Sequence, residues 1–338
     1  GQLGGGDDHG HHTPCRRRER CRPRQEPRLS RASEIRVEGA GREHGVRAIG
    51  VDIGGTFTDV VLLLEDDSTV QEKSFTTRAD LTRGVLDALA RASAAVRLSL
   101  ADVLSGAEWL AHGTTVGLNA ILTGTGARVG LLTTEGFEAT LAIAKVNNVL
   151  GLDEATQTEA VHWEKPDLLV PRRLIKGVRE RIDACGEVIT PLDEAPARLL
   201  VRELGDAGVE SVAVSLLWST VNAAHELRLA ELVGEELPGL PVTVGHRLTN
   251  RVGEYERTVT AVLNAYIAPM VTAYLDGLEA ALRRHGFRGR LLTMSTEGGV
   301  ESAERARGFP IHTLNSGPVG GLAAARDFGR RSGHRSCT

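Results

Sequence analysis

The sequence predicts an α/β protein. Short apolar runs recur along the chain and alternate with longer stretches of helical periodicity, the pattern of strands and helices in turn. Hydrophobic residues make up 41% of the 338, enough for a sizeable core. The first two apolar runs are joined by a Gly-Gly turn flanked by aspartates, in AIGVDIGGTFTDVVLL over residues 48–63.

Each element follows from its local pattern. AIGVDI (48–53) and DVVLLL (59–64) read as buried strands, and TVQEKSF (69–75) alternates as a third. GVLDALARASAAV (84–96) has helical spacing, and EWLAHG (108–113) is a strand reaching a turn. TVGLNAIL (115–122) is a short helix, ARVGLLTT (127–134) a buried strand and GFEATLAIAK (136–145) helical. Beyond the Pro166 and Pro171 punctuation, LIKGVRERID (174–183) reads as one strand. APARLLVRELGDAG (195–208) is a helix ended by Gly208, SVAVSLLW (211–218) a strand and AAHELRLAELVGEEL (223–237) a helix. PVTVGHRL (241–248) opens a new region, followed by a long helix over 253–286 that Pro269 should kink. LLTMSTEGG (291–299) is a strand and glycine turn, and 309–329 is strand, turn and helix. The expected divisions are 1–46, 47–240 and 241–338.

Residues 1–46 carry ten Arg against seven acids in a Gly- and His-rich stretch without apolar periodicity, so a disordered tail is expected there. The net charge of −4 gives no footing for nucleic acid, and no apolar run is read as reaching membrane-spanning length. Cys15, Cys21, Cys185 and Cys337 show no CxxC spacing and no apolar leader precedes them; a cytoplasmic protein without disulfides is expected.

VDIGGTFTD is the chemistry-bearing stretch. Glycines let backbone N–H groups approach an anion, and Thr56 and Thr58 add hydroxyls. Asp52, at the strand end, is placed to hold a hydrated Mg²⁺. Neither GK[ST] nor GxGxxG is present, so this is not a P-loop or a dinucleotide fingerprint. A plain hairpin and a phosphate cradle both account for the spacing.

The stretch resembles the opening of the hydantoinase A / 5-oxoprolinase family. The likeness continues through AHGTTVGLNAILTGTGARVGLLTTEGF (111–137), RERIDACGEVITPLD (179–193), RVGEYERTVTAVLNAYIAPM (251–270) and NSGPVGGL (315–322), in order. The resemblance implies an actin-like (ribonuclease H-like) ATPase domain with the start of a second, similar domain that is truncated. It implies ATP and Mg²⁺ as cofactors, and ATP-dependent hydrolysis of a cyclic amide of hydantoin or 5-oxoproline type through phosphorylation of its carbonyl oxygen. The alternatives are a subunit of an acetone- or acetophenone-type carboxylase, and a truncated, catalytically silent binding module. The implied partners are a cyclic amide and a second, hydantoinase B-type subunit or a missing C-terminal half; no nucleic acid or membrane is expected. The chain lacks an initial Met and stops before the family's second Asp-Gly-Gly-Thr loop, so an N-terminal fragment is expected.

By the same resemblance, Asp52 is catalytic and the metal ligand. Gly54, Gly55, Thr56, Thr58 and Asp59 form the first phosphate loop, Asp59 as a polar anchor or a turn cap. In Gly113, Thr114 and Thr115 the helix start binds an anion or is merely capped, and Asn119 faces the same end. His112 is an acid/base or an orienting group. Glu254 and Arg257 face substrate or interface, or form a surface ion pair. Ser316 and Gly317 bind an anion or pack against a strand. Cys185 is read as structural, and His225 and His246 as surface or packing residues.

Overall fold

The computed structural model describes residues 45–77, 80–144, 153–155 and 168–334. The tail expected over 1–46 lies outside the described residues except for its last two. From His44 onward the chain forms one compact unit.

β1 (Val46–Ile53) and β2 (Phe57–Leu64) are antiparallel, and β3 (Thr69–Phe75) extends the meander. Their side chains alternate between core and surface with the two-residue period of a strand. Two helices follow, α1 (Leu81–Ala95) and α2 (Leu100–Gly106). β4 (Trp109–Gly113) returns parallel to β1, and β11 (Arg290–Met294) lies parallel to β4 with β12 (Val300–Ser302) at the edge. The order is β12-β11-β4-β1-β2-β3.

A second sheet, β10-β9-β5-β6, is wholly parallel. It contains β5 (Val129–Thr134), β6 (Ile175–Val178), β9 (Ser211–Ser215) and β10 (Val242–Val244). All six residues of β5 are buried, as expected of a parallel strand covered on both faces. Between the strands run α3 (Val116–Thr123), α4 (Thr140–Ile143), α5 (Glu194–Asp206), α6 (Ala224–Glu236) and α7 (Gly245–Leu248).

α8 (Glu254–Arg284) joins the two sheets. Acids in its first turn and arginines in its last match the helix dipole. Ala261, Ala265, Ile267, Val271 and Leu275 belong to the core around the second sheet. Leu278 and Leu282 belong to the core of the first, and Tyr274 packs against both. The last helices are α9 (Ala303–Gly308) and α10 (Ser316–Arg331).

Several expectations change. The chain on either side of residue 240 contributes strands to both sheets. The helix expected over 136–145 is confined to Thr140–Ile143. The strand expected over 174–183 is split: β6 joins the second sheet, while β7 (Arg181–Ile182) pairs with β8 (Val188–Thr190) in a separate ribbon. Between them Glu180 turns inward, its carboxylate taking Thr134 Oγ1 and His225 Nδ1. The start of 309–329 is a 3-10 turn over Pro310–Thr313, because Pro310 has no N–H for a ladder. Helical structure continues through Pro269. Among the described residues α8 is long and apolar enough to cross a membrane, and half of its most apolar window is buried inside the fold. Its uncharged middle, residues 258–275, reflects packing between two cores. Of the two readings of His225 and His246, packing is the one that fits: each bonds a buried glutamate, Glu180 at 2.8 Å and Glu226 at 2.7 Å.

Candidate active site

The ends of β1, β2 and β4 form one wall of an open cleft of about 800 Å³, and the start of α10 forms another. Asp52, Asp59, Gly113, Met294, Ser316 and Gly317 line it. Hairpin register puts Asp52 directly opposite Asp59, so the two carboxylates share one face of the sheet. Partial burial, and then the charge of Asp59, raise the Asp52 carboxyl above its usual range. Asp59 has a cation, Lys73 Nζ, at 3.1 Å from Oδ1. Among the described residues no ion pair reaches Asp52.

The parallel pairing of β1 with β4 puts Gly113 beside Asp52. A Cβ at Gly113 would stand 2.8 Å from Asp52 Oδ1, so only glycine leaves the carboxylate its place. The hairpin turn is pinned from below. Gly54 N–H donates to Phe57 O at 2.9 Å. Thr76 donates its N–H to Thr56 O at 2.9 Å and its hydroxyl to Gly54 O at 2.9 Å. Thr58 is fully buried and shares a 3.2 Å hydrogen bond with Thr76, so it supports the turn rather than facing the cleft. Gly55 and Thr56 are exposed, and a Cβ at Gly55 would meet nothing within 4 Å. Neither Gly54 nor Gly55 has a positive φ; Gly55 supplies open space at the backbone, while a Cβ at Gly54 would stand 3.1 Å from Phe57 O, so Gly54 permits the close turn.

The HGTT segment positions the cleft more than it lines it. Thr115 Oγ1 donates to Ile53 O at 3.4 Å, and Asn119 Nδ2 donates to Thr115 Oγ1 at 3.2 Å. Thr114 Oγ1 accepts from Val116 N–H at 3.2 Å, and Thr114 O accepts from the buried Ser316 Oγ at 3.4 Å. Those bonds tie the end of β1 to the start of α10. No side chain caps α10, whose first turn carries Gly317 at the cleft. A helix start of this kind favours an anion.

His112 points the other way. Adjacent strand residues face opposite sides, so Gly113 joins Asp52 while His112 enters the core. Its Nε2 shares a 2.7 Å hydrogen bond with Tyr274 Oη, and its Nδ1 has no hydrogen-bond partner among the described residues. Burial pushes the imidazole down to about 4, against a smaller opposing pull from the Val51 backbone. His112 is therefore neutral and shielded from solvent, a support for β4.

Glu254 and Arg257 are also apart from Asp52. They line a second cleft at the start of α8. Arg257 and Tyr274 are 17 residues apart on that helix, a rise of about 25 Å, and Tyr274 is the residue that reaches His112. The four residues expected to be catalytic thus occupy three places. Sequence reading missed Lys73 and Thr76, whose roles come from strand pairing; their positions opposite Asp59 and beside Thr56 follow once the meander register is fixed.

The donors at the first cleft suit Mg²⁺, which prefers oxygen ligands and is held through one or two carboxylates together with phosphate oxygens. Asp52, uncompensated and with a raised pKa, and Asp59 are the residues that would hold it. Among the described residues no group of three or more His, Cys, Asp or Glu forms a protein-only metal cage.

An α/β protein with paired carboxylates and a glycine turn at the ends of inner strands of its sheet is the class that this geometry defines. Within that class the chain belongs to the hydantoinase/oxoprolinase family: the family's N-terminal region matches residues 48–237 and its hydantoinase/oxoprolinase domain residues 257–338. It is 38% identical over 300 residues to the acetophenone carboxylase gamma subunit of Aromatoleum aromaticum, covering 87% of this chain and 41% of that one. It is 32% identical to the caprolactamase subunit alpha of Pseudomonas jessenii, covering 83% of this chain and 40% of the relative. A nucleotide-free acetone carboxylase structure superposes with a TM-score of 0.79 at 28% identity, over 86% of this chain and 41% of that one. The chain therefore spans about two fifths of the length of these relatives.

Proposed function

We propose that this chain carries the first phosphate loop of an actin-like ATPase subunit that uses ATP and Mg²⁺ to phosphorylate a carbonyl oxygen. The observation that supports it best is the pairing of Asp52 with Asp59 beside Gly113, facing the uncapped start of α10. The antiparallel meander β1-β2-β3, extended by parallel β4 and β11, supports the actin-like reading. Bound Mg²⁺ would neutralise phosphate charge between the two carboxylates. The chain's own residues have separate tasks. Gly55 and Thr56 are exposed at the turn, where a phosphate would approach the backbone, Gly54, Thr58 and Thr76 hold the turn rigid, and Ser316 docks α10 against Thr114.

The likeness to two carboxylases favours a small ketone as the group phosphorylated, in a multi-subunit carboxylase. This replaces cyclic-amide hydrolysis as the first reading. Hydrolysis remains the second, favoured by the caprolactamase likeness. The test uses the full-length protein with its partner subunits. Phosphate release from ATP is measured with acetone or acetophenone plus labelled bicarbonate, and separately with caprolactam and hydantoin. Label incorporation with a ketone is expected. Release with a lactam alone would overturn the carboxylase reading, and no substrate-dependent release would overturn both.

A further inference from the structure

The cleft at the start of α8 has an unusual feature. Arg257 is 2% exposed yet forms no ion pair among the described residues. Its guanidinium donates to two backbone carbonyls, Leu216 O at 3.0 Å and Arg251 O at 3.5 Å, and its buried Nε–H has no partner. The nearby Glu226 and Glu254 stabilise the cation, while burial opposes it and lowers its pKa. Glu226 is already committed elsewhere. Its Oε1 accepts from Leu216 N–H at 2.8 Å, and its Oε2 bonds His246 N–H at 3.0 Å and His246 Nδ1 at 2.7 Å. Buried arginines are nearly always paired, because an unpaired charge in the interior is costly. Glu254 lines the same cleft and its charge favours the cation, but it makes no ion pair with Arg257 among the described residues; the position open to Arg257 suits an anion.

The rest of the cleft indicates which kind. Arg181 lines the same cleft as Arg257, its guanidinium carbon 5.2 Å from the Phe137 ring centroid. Leu217, Trp218 and Val252 complete an apolar wall, with Val252 74% exposed at the mouth. The space is about 500 Å³ counting the solvent at its open mouth, so only a small molecule would fit. Arginine edges match the two oxygens of a carboxylate, and an apolar wall suits a carbon body.

We propose that this cleft is a second binding site, separate from the Asp52 cleft, for a small organic carboxylate whose anionic end sits between Arg257 and Arg181. The inference goes beyond the proposed phosphoryl chemistry and does not depend on it. About 25 Å of helix separates Arg257 from Tyr274, so one small molecule does not fill both sites.

The test titrates the protein with sodium benzoate and with benzamide, its neutral counterpart, following heat and the fluorescence of Trp218. Saturable benzoate binding is expected, with benzamide weaker by about tenfold or more. Arg181→Gln, on the half-exposed ribbon strand, should weaken benzoate by about tenfold while the melting temperature holds. Arg257→Lys, which keeps the charge and loses the fork, should do the same if it folds. Asp52→Asn should leave benzoate binding unchanged even though it disables the first cleft. Benzamide binding as tightly as benzoate, no saturation, or unchanged binding in Arg181→Gln would overturn the proposal. Weakened binding in Asp52→Asn would overturn the separateness of the two sites.

Discussion

Gly113→Ala isolates the geometry of the first cleft from its charge. The added Cβ would lie 2.8 Å from Asp52 Oδ1, where ordinary contact begins at 3.4 Å. The carboxylate oxygen must therefore move by about 0.6 Å, and misplacement near 1 Å costs on the order of a hundredfold in rate. A fall in substrate-dependent phosphate release of about tenfold to a hundredfold is expected in the full-length protein. Stability should hardly change. Gly113 lies in a strand without positive φ, where alanine gains about 0.4–1 kcal/mol by restricting the unfolded chain, and rotation of Asp52 absorbs the clash. The assay pairs phosphate release over a Mg-ATP titration with thermal unfolding. Wild-type release at an unchanged melting temperature would refute the role given to the Asp52 carboxylate. A cooperative loss of fold would refute the claim that the clash is local.

Asp52→Asn removes a like charge directly opposite Asp59 and should stabilise the fold by about 0.2–1 kcal/mol at neutral pH. Because the folded carboxyl is raised, the folded state holds its proton more tightly, so this gain should shrink as the pH falls and Asp52 protonates; urea unfolding at several pH values would show it. His112 titrates in the opposite sense. Its pKa drops from the ordinary 6.5 to about 4 on folding, so the unfolded chain binds the extra proton and stability should fall by about 3 kcal/mol as the pH drops through that window. An equally steep acid limb in His112→Gln would count against this. Tyr274→Phe, which leaves the buried His112 Nε2 without its 2.7 Å partner, should cost about 1–3 kcal/mol in urea unfolding. A smaller loss would mean that the bond contributes little.

Much of the fold was readable because strand and helix periods differ. The alternation in residues 46–75 gave three strands, and the apolar spacing of α5 and α6 gave two helices. Short elements were lost. α2 carries a capping box, Ser99 with Asp102, and that signal alone would have located it. The split at 174–183 was not readable, since what breaks it is Glu180 bonding to Thr134 and His225, both more than forty residues away in sequence. At the first cleft, Asp52 and Asp59 face each other because they are neighbours in one hairpin. His112 enters the core, as strand parity sets it opposite Gly113. Glu254 and Arg257 were grouped with Asp52 by resemblance, and only the length of α8 shows how far they stand from it.

α8 has a further consequence. Its 31 residues are shared between the two cores, with Tyr274 touching both. Neither sheet retains its core if that helix frays, so the two should melt as a single cooperative transition. The same rod acts as a spacer. It holds the Asp52 cleft and the Arg257 cleft at one separation, and a load at one end of the helix is passed by packed side chains to the other.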